Sequence, residues 1–179
     1  MNPTLLSVKE YLELEERAEL RHEYVDGRLL AMAGETQEHE DIVLNLVEAL
    51  RPLARGKGCR LYTTNIKLQV RPTRFRYPDL MVICSPKVEP RIEFAPCLIV
   101  EVLSDSTEQT DLSEKLSEYT ALPSLERYLL VSQTHKLVLV YIRQPDGWRL
   151  ETLENSGEVY IPCLDVSLTL EEIYRGLAL

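Results

Sequence analysis

Three side chains of this chain combine in type and spacing to suggest chemistry: Asp79, Glu101 and Lys115. Asp79 follows Pro78 and opens the apolar run Leu80-Met-Val-Ile83, while Glu101 lies inside a second such run, Leu98-Ile-Val-Glu-Val-Leu103. Charged residues rarely occupy apolar strands without a partner. Two carboxylates about 4 Å apart on adjacent strands repel by roughly 4 kcal/mol at an effective dielectric near 20, so a divalent cation or a lysine must neutralise them. Hard oxygen ligands with a lysine at hand are the components of metal-dependent phosphodiester cleavage.

Each of these residues also has a plainer reading. Pro-Asp alone is a turn before a strand, and Pro78, which lacks a ladder donor, fits an entry or edge position. Glu101 has no amphipathic alternation to push it into water; its alternative is a structural salt bridge in the core. At about 100° per residue, Leu112, Leu116, Tyr119 and Leu122 form one stripe with Lys115 inside it, which aims the lysine at the sheet unless its ammonium snorkels to solvent. Asp111, one turn earlier, pairs with Lys115 or complements the helix N-terminus. His39 lies on the apolar side of its helix with Val43, Leu46 and Leu50, where a satisfied core or edge histidine is favoured over a ligand. Glu23 is either a third acidic member of the site or part of a hairpin. Arg71, Arg74 and Arg76, with Lys67 upstream and Phe75 and Tyr77 interleaved, are either a solvated loop or a phosphate contact.

The elements that must position these groups follow from periodicity. Ser7 and Glu10 have capping-box spacing before a short amphipathic helix through about Glu16. The runs His22–Val25 and Arg28–Met32 flank Asp26-Gly27, a hairpin signal. The strongest helix signal runs from Glu38 to about Ala54, with Ile42, Val43, Leu46, Ala49, Leu50 and Leu53 at helical spacing. Strands over Cys59–Thr63, Ile66–Val70, Leu80–Cys84 and Cys97–Leu103 are expected to form the central sheet. A helix from about Asp111 to Leu122, strands over Arg127–Ser132, Leu137–Arg143 and Trp148–Leu153, and a closing segment with a helix from Thr169 to about Gly176 complete the chain. The expected fold is α/β (α+β): one domain over residues 1–179, with a central mixed sheet flanked by helices, an N-terminal hairpin and extra C-terminal strands.

Composition narrows the classes. The 179 residues are 45% hydrophobic and 27% charged, ordinary for a globular protein with a core of its own. No apolar stretch reaches the roughly 18 residues of a membrane span, and the first residues lack signal-peptide order, so a cytoplasmic protein without a membrane is expected. The net charge of -9 argues against a broad electropositive surface, so any DNA contact must be local. Cys59, Cys84, Cys97 and Cys163 have no zinc-like spacing and read as reduced core residues. There is no GxSxG elbow, P-loop or dinucleotide fingerprint.

Taken together, Glu23-Tyr-Val-Asp-Gly27, His39, Arg76-Tyr-Pro-Asp79, Leu98-Ile-Val-Glu-Val-Leu-Ser104, and Glu114-Lys-Leu116 with Tyr119 give a pattern over nearly the whole chain. It resembles the Uma-two family of restriction-endonuclease-like proteins, a branch of the PD-(D/E)XK nuclease superfamily. The resemblance implies a restriction-endonuclease-like core with Asp79 and Glu101 as ligands of Mg²⁺ or Mn²⁺ and Glu23 as an additional acid. The superfamily's motif lysine is expected two positions after Glu101, where this chain has Leu103; the resemblance assigns its role to Lys115. The activity implied is metal-dependent hydrolysis of DNA by an endonuclease, with homodimerisation a natural way to cut two strands. The alternative is a catalytically inactive nuclease-fold protein that serves as a binding or assembly module.

Overall fold

The structure, a computed structural model, describes residues 5–32, 34–104 and 111–179, except for the side chain of Asp111. Two sheets organise it. The larger has six strands in the order β11-β10-β9-β8-β6-β3: β3 (Arg60–Thr63), β6 (Leu80–Ile83), β8 (Leu98–Leu103), β9 (Arg127–Ser132), β10 (Leu137–Gln144) and β11 (Gly147–Glu154). It is mixed, because β8 and β9 run parallel while their neighbours pair antiparallel. The parallel step needs a crossover, which ends in a π-helical turn (Asp111–Lys115) leading into α3 (Leu116–Thr120). The second sheet has five strands in the order β2-β1-β5-β4-β7, built from β1 (His22–Val25), β2 (Arg28–Ala31), β4 (Lys67–Arg71), β5 (Arg74–Arg76) and β7 (Ile92–Glu93).

Alternation along the central strands sets which side chain faces which layer. Leu80 and Val82 of β6 and Leu98, Val100 and Val102 of β8 face the long helix α2 (Gln37–Gly56), packing with Ile42, Val43, Leu46 and Leu50. Met81, Ile83 and Ile99 face the other way, with Tyr119, Leu122, Tyr128 and Leu130. A small hairpin, β12 (Glu158–Ile161) and β13 (Val166–Thr169), and the short α4 (Leu170–Ile173) close the α2 layer. Asn45 in α2 donates to the Ile173 and Arg175 carbonyls at 3.0 and 2.9 Å, which holds that end in place.

Several expectations agree with these elements. Ser7 and Glu10 form a capping box at the start of α1 (Val8–Glu15). The β1–β2 hairpin turns at Asp26-Gly27, both with positive φ (49° and 95°), as a two-residue turn between right-twisted strands requires. Tyr11 stacks on Tyr24 and both pack against Phe75 at tilted and edge-on angles, with ring centroids 4.7 to 6.1 Å apart, which ties α1 and the hairpin to β5.

Other expectations are corrected. The segment Lys67–Arg71 does not join the central sheet; it pairs antiparallel with β5 and parallel with β7 in the second sheet. Arg74–Arg76, read as a possible solvated loop, is a strand in which Phe75 faces the aromatic cluster while both arginines face the opposite side. The C-terminal helix is only four residues, because Thr169 ends β13 and caps the helix while the chain leaves helical geometry at Tyr174 and turns through Gly176 at a φ of 80°. The cysteines are not reduced core residues: Cys59 bonds Cys84 and Cys97 bonds Cys163. Their signal is spatial, since each lies on a different segment and no local spacing connects them. Among the described residues no helix is long and apolar enough to cross a membrane.

Gly27 meets a close approach as well as a turn. A Cβ there would lie 2.9 Å from Leu5 Cβ at a φ of +95°. Gly27→Ala is therefore expected to lower stability by about 1–2 kcal/mol, read from the urea midpoint. Gly56→Ala, at the end of α2 with open space around it, should leave the midpoint unchanged or slightly raised.

Candidate active site

The register of β6 against β8 brings the two acids together. Leu80 pairs with Val100, so Asp79, one residue before the strand, lies opposite Glu101, and its backbone N–H reaches Glu101 Oε2 at 3.4 Å. Asp79 Oδ2 accepts from the Val102 N–H at 2.7 Å and lies 3.1 Å from His39 Nε2. Among the described residues Asp79 Oδ1 takes no hydrogen bond, and it is not among the buried atoms left unpaired, so it faces solvent. Glu101 Oε1 accepts from Lys115 Nζ at 3.1 Å and from the Tyr119 hydroxyl at 2.8 Å. Lys115 points at the sheet as expected and its ammonium does not snorkel, the residue being 5% exposed, but the expected α-helical stripe from Asp111 is corrected: Asp111–Lys115 is a π-helical turn and Leu112 is exposed.

Behind this pair lies a second set of buried charges. Glu23, on β1, is 3.6 Å from Lys115 Nζ through Oε1 and accepts from Arg76 Nη1 at 2.8 Å through Oε2. Arg76, fully buried, also grips Glu118 with Nε at 2.8 Å and Nη2 at 2.9 Å, and reaches Glu114 at 3.3 Å. Arg74 bridges Glu118 and Asp26. Arg76 is therefore corrected as a candidate phosphate contact, because its donors are committed to carboxylates inside the protein. Arg74 is largely committed too, whereas Arg71 is exposed at the β4–β5 turn. Lys67 is buried, with its ammonium 5.8 Å from the Tyr77 ring centroid.

His39 is a neighbour of the site rather than a bystander in the core. Burial would lower its pKa, but the hydrogen bond and charge of Asp79, with Glu35 and Glu40, outweigh this and the net direction is upward. Its Nδ1 is buried without a hydrogen-bond partner, a polar atom left unmet beside Asp79. Tyr119 has its pKa pushed well up by burial, then by Glu101 and Glu23, so the hydroxyl stays a donor. Asp111 lies outside the described side chains.

The charges at this site do not balance. Glu23, Asp79, Glu101 and Glu118 are buried carboxylates, whereas Arg76 and Lys115 are the buried cations among them, with Arg74 at the edge. Among the described side chains, even with Arg74 counted, the buried carboxylates outnumber these cations by one, and His39, beside Asp79, is a further group that can carry positive charge. The donor set of Asp79 and Glu101 is hard oxygen, suited to Mg²⁺ or Mn²⁺, which take one or two protein carboxylates and complete their shell with water and phosphate. His39 fits less well as a ligand, because its Nε2 already meets Asp79.

Sequence reasoning missed two parts of this arrangement. Glu118 was invisible because its partner Arg76 is distant in sequence; Arg76 beside Pro78-Asp79 was the signal, and it was read as surface. Glu15, fully buried, accepts from the Tyr77 hydroxyl at 2.9 Å and the His22 N–H at 3.0 Å, anchoring the chain just before Asp79. Tyr119, part of both the stripe and the family pattern, was given no role at the site, although a buried tyrosine hydroxyl needs a partner.

Comparison with known proteins follows the same lines. The profile of the Uma2 family, described as "Putative restriction endonuclease", matches residues 8–173. Two uncharacterized proteins of Synechocystis sp. are similar: slr1290 is 36% identical, with 97% of this chain and 93% of that protein covered. The second, sll1609, is 33% identical, with 72% and 76% covered. A crystal structure from Anabaena variabilis, titled a "putative nuclease belonging to DUF820", superposes with a TM-score of 0.76 at 20% identity, covering 94% of this chain and 97% of that one. At that identity the likeness establishes the fold, a mixed sheet flanked by helices.

Arg76→Met would remove the buried cation that Glu23 and Glu118 share, leaving Lys115 at 3.6 Å from the first and Arg74 on the second, and is expected to destabilise the fold by about 3–5 kcal/mol in chemical unfolding. Burial alone would raise the Glu118 pKa, but hydrogen bonds and charge from Arg76 and Arg74 bring it below the ordinary 4.5. The unfolded state therefore takes up this proton first as pH falls. The Glu118 contribution is present above about 4.5 and is lost as pH drops through the lower folded value. Unfolding free energies measured downward from neutral pH should show that acid slope in the native protein and a shallower one in Glu118→Gln.

Proposed function

Because the chain belongs to the Uma2 family, we propose that it is a metal-dependent endonuclease hydrolysing phosphodiester bonds of DNA, with Mg²⁺ or Mn²⁺ held by Asp79 and Glu101. The observation that carries this is the juxtaposition of those carboxylates on paired strands with Lys115 on Glu101. When bound, the ion would acidify a water and offset negative charge gathering on the phosphoryl oxygens.

The chain's own residues have distinct tasks. Asp79 offers its solvent-facing Oδ1 while Val102 and His39 fix the other oxygen, so the carboxylate is oriented before any ligand arrives. Tyr119 and Lys115 do the same for Glu101. Lys115 places a positive charge at the edge of the site, where it orients the attacking water and stabilises the pentacovalent arrangement at phosphorus. Glu23, with Arg76 behind it, is a positioning residue that holds the ammonium from the far side. Arg71, exposed on the same ribbon as Arg76, is the arginine of the three left for a phosphate contact. On an acidic chain such contacts are few, so binding should be weak and local. Cleavage of both strands would call for two copies of the chain.

Incubation of supercoiled plasmid with the purified chain and Mg²⁺ or Mn²⁺ tests the reading. Nicked or linear product is expected with the native protein and none with Asp79→Ala or Glu101→Ala. Lys115→Met should slow cleavage by about 10²–10³. Cutting that survives in the double alanine variant would sink the assignment. An uncut plasmid, with Mn²⁺ binding in calorimetry equal in both proteins, would leave the fold as a binding or assembly module.

A further inference from the structure

All four cysteines meet at one place, at the other end of the strands that carry the acids. Cys59 immediately precedes β3, Cys84 follows β6, Cys97 precedes β8, and Cys163 lies in a short 3-10 turn (Pro162–Leu164) between β12 and β13. Arg60 pairs with Ile83 and Val82 with Leu98, so the antiparallel register carries the first three positions to one edge of three adjacent strands. The sulfurs of Cys84, Cys97 and Cys163 all lie within 4.8 Å of one another, and among the described residues this is the one such group of three metal-ligating side chains. Cys84 and Cys97, which belong to different disulfides, are 3.8 Å apart at sulfur, and Cys59 is bonded to Cys84.

We propose that the reduced chain binds a thiophilic divalent cation, with Zn²⁺ the natural choice, through these four thiolates. A tetrahedral zinc site with metal–sulfur bonds of about 2.3 Å has sulfur–sulfur edges of about 3.8 Å, the separation found between Cys84 and Cys97; Cys59, bonded to Cys84 in the oxidised chain, supplies the fourth thiolate once that bond opens. The donor set is all sulfur, which selects zinc over the hard cations suited to the carboxylates. Cys84 is exposed and Cys163 half-buried, which gives an ion a way in, whereas Cys59 and Cys97 are buried and hold the inner side. Conversion from the oxidised state balances: each disulfide takes two electrons and two protons, either from two reductant thiols that leave as their own disulfide or from a phosphine and one water that leave as the phosphine oxide, and the two thiols formed release protons to the buffer on binding the ion. The bound ion joins the ends of β3, β6 and β8 to the β12–β13 turn. It lies about 16 Å along β6 from Asp79 at 3.3 Å per residue, and so clips the two acid-bearing strands at their far ends.

Cobalt(II) is the probe, because its tetrahedral thiolate complexes have strong visible d–d bands. The full chain, reduced with a phosphine and stripped with chelator, is expected to take up one Co²⁺ with those bands, and added Zn²⁺ should displace it. Cys84→Ser and Cys163→Ser, at the more exposed positions, should lose the bands while keeping the native circular dichroism spectrum. Asp79→Ala/Glu101→Ala should retain them in full, which separates this site from the carboxylate one. The proposal is overturned if the reduced chain takes up no cobalt and only reoxidises to two disulfides. It is equally overturned if the bands survive in the Cys84→Ser/Cys163→Ser double variant.

Discussion

The constraint on which the rest of this structure depends is the cost of taking four carboxylates out of water at one end of a sheet. Glu23, Asp79, Glu101 and Glu118 are each less than a tenth exposed, and none could stay ionised there alone. Arg76 and Lys115 make the arrangement possible, and each fixes an element. Arg76 must enter from β5 to reach Glu23 on one side and Glu118 on the other, so the second sheet has to lie over the π-helical turn and α3. Lys115 must point inward from that turn to reach Glu101, which sets the rotation of the segment about its axis. The aromatic contacts of Tyr11 and Tyr24 with Phe75 then hold β5 in the position the charges require.

The two halves of the charge cluster differ in how they are completed. Arg76 is saturated by carboxylates and Glu118 by arginines, a closed arrangement that fixes geometry and leaves no donor for a ligand. At the front, Asp79 has one oxygen held and one facing solvent, and His39 has one nitrogen held and one unmet. A closed network behind an incomplete one is the usual division between a supporting shell and a site that binds something.

How much of this the sequence carried depended on the range of the interaction. Local signals were legible: the Ser7–Glu10 cap, the Asp26-Gly27 turn and the long amphipathic α2 all follow from residues within a few positions of one another, whereas the π-helical turn that carries Lys115 left no such signal. Glu101 stood out because alternation could not place it in water, and the β6–β8 register then put Asp79 opposite it. What could not be read were partnerships between distant segments. Arg76 looks like part of a basic surface run until Glu23 and Glu118 are known to converge on it. Lys67–Arg71 has the composition of a central strand, and only its pairing with β5 and β7 assigns it to the other sheet. The cysteines carry no spacing signal because the sheet, not a local loop, gathers them.

Leu103 marks the place where a strand-borne lysine would be expected, and the structure gives a physical reason for its absence. Two residues after Glu101, Leu103 lies on the same face of β8 by alternation and packs against the apolar cluster with Tyr119 and Leu130. A lysine there would bring its charge along the strand but remove apolar cover from that cluster. Lys115 reaches the same carboxylate at 3.1 Å from the π-helical turn before α3. An electrostatic role is set by where the charge lies, not by which element carries the side chain. The same move also couples the site to the crossover: the segment that ends in Lys115 now determines how closely the ammonium approaches Glu101. Glu23, 3.6 Å from Lys115 on its other side, then limits how far the ammonium can withdraw, so the N-terminal hairpin becomes part of the machinery that positions the charge.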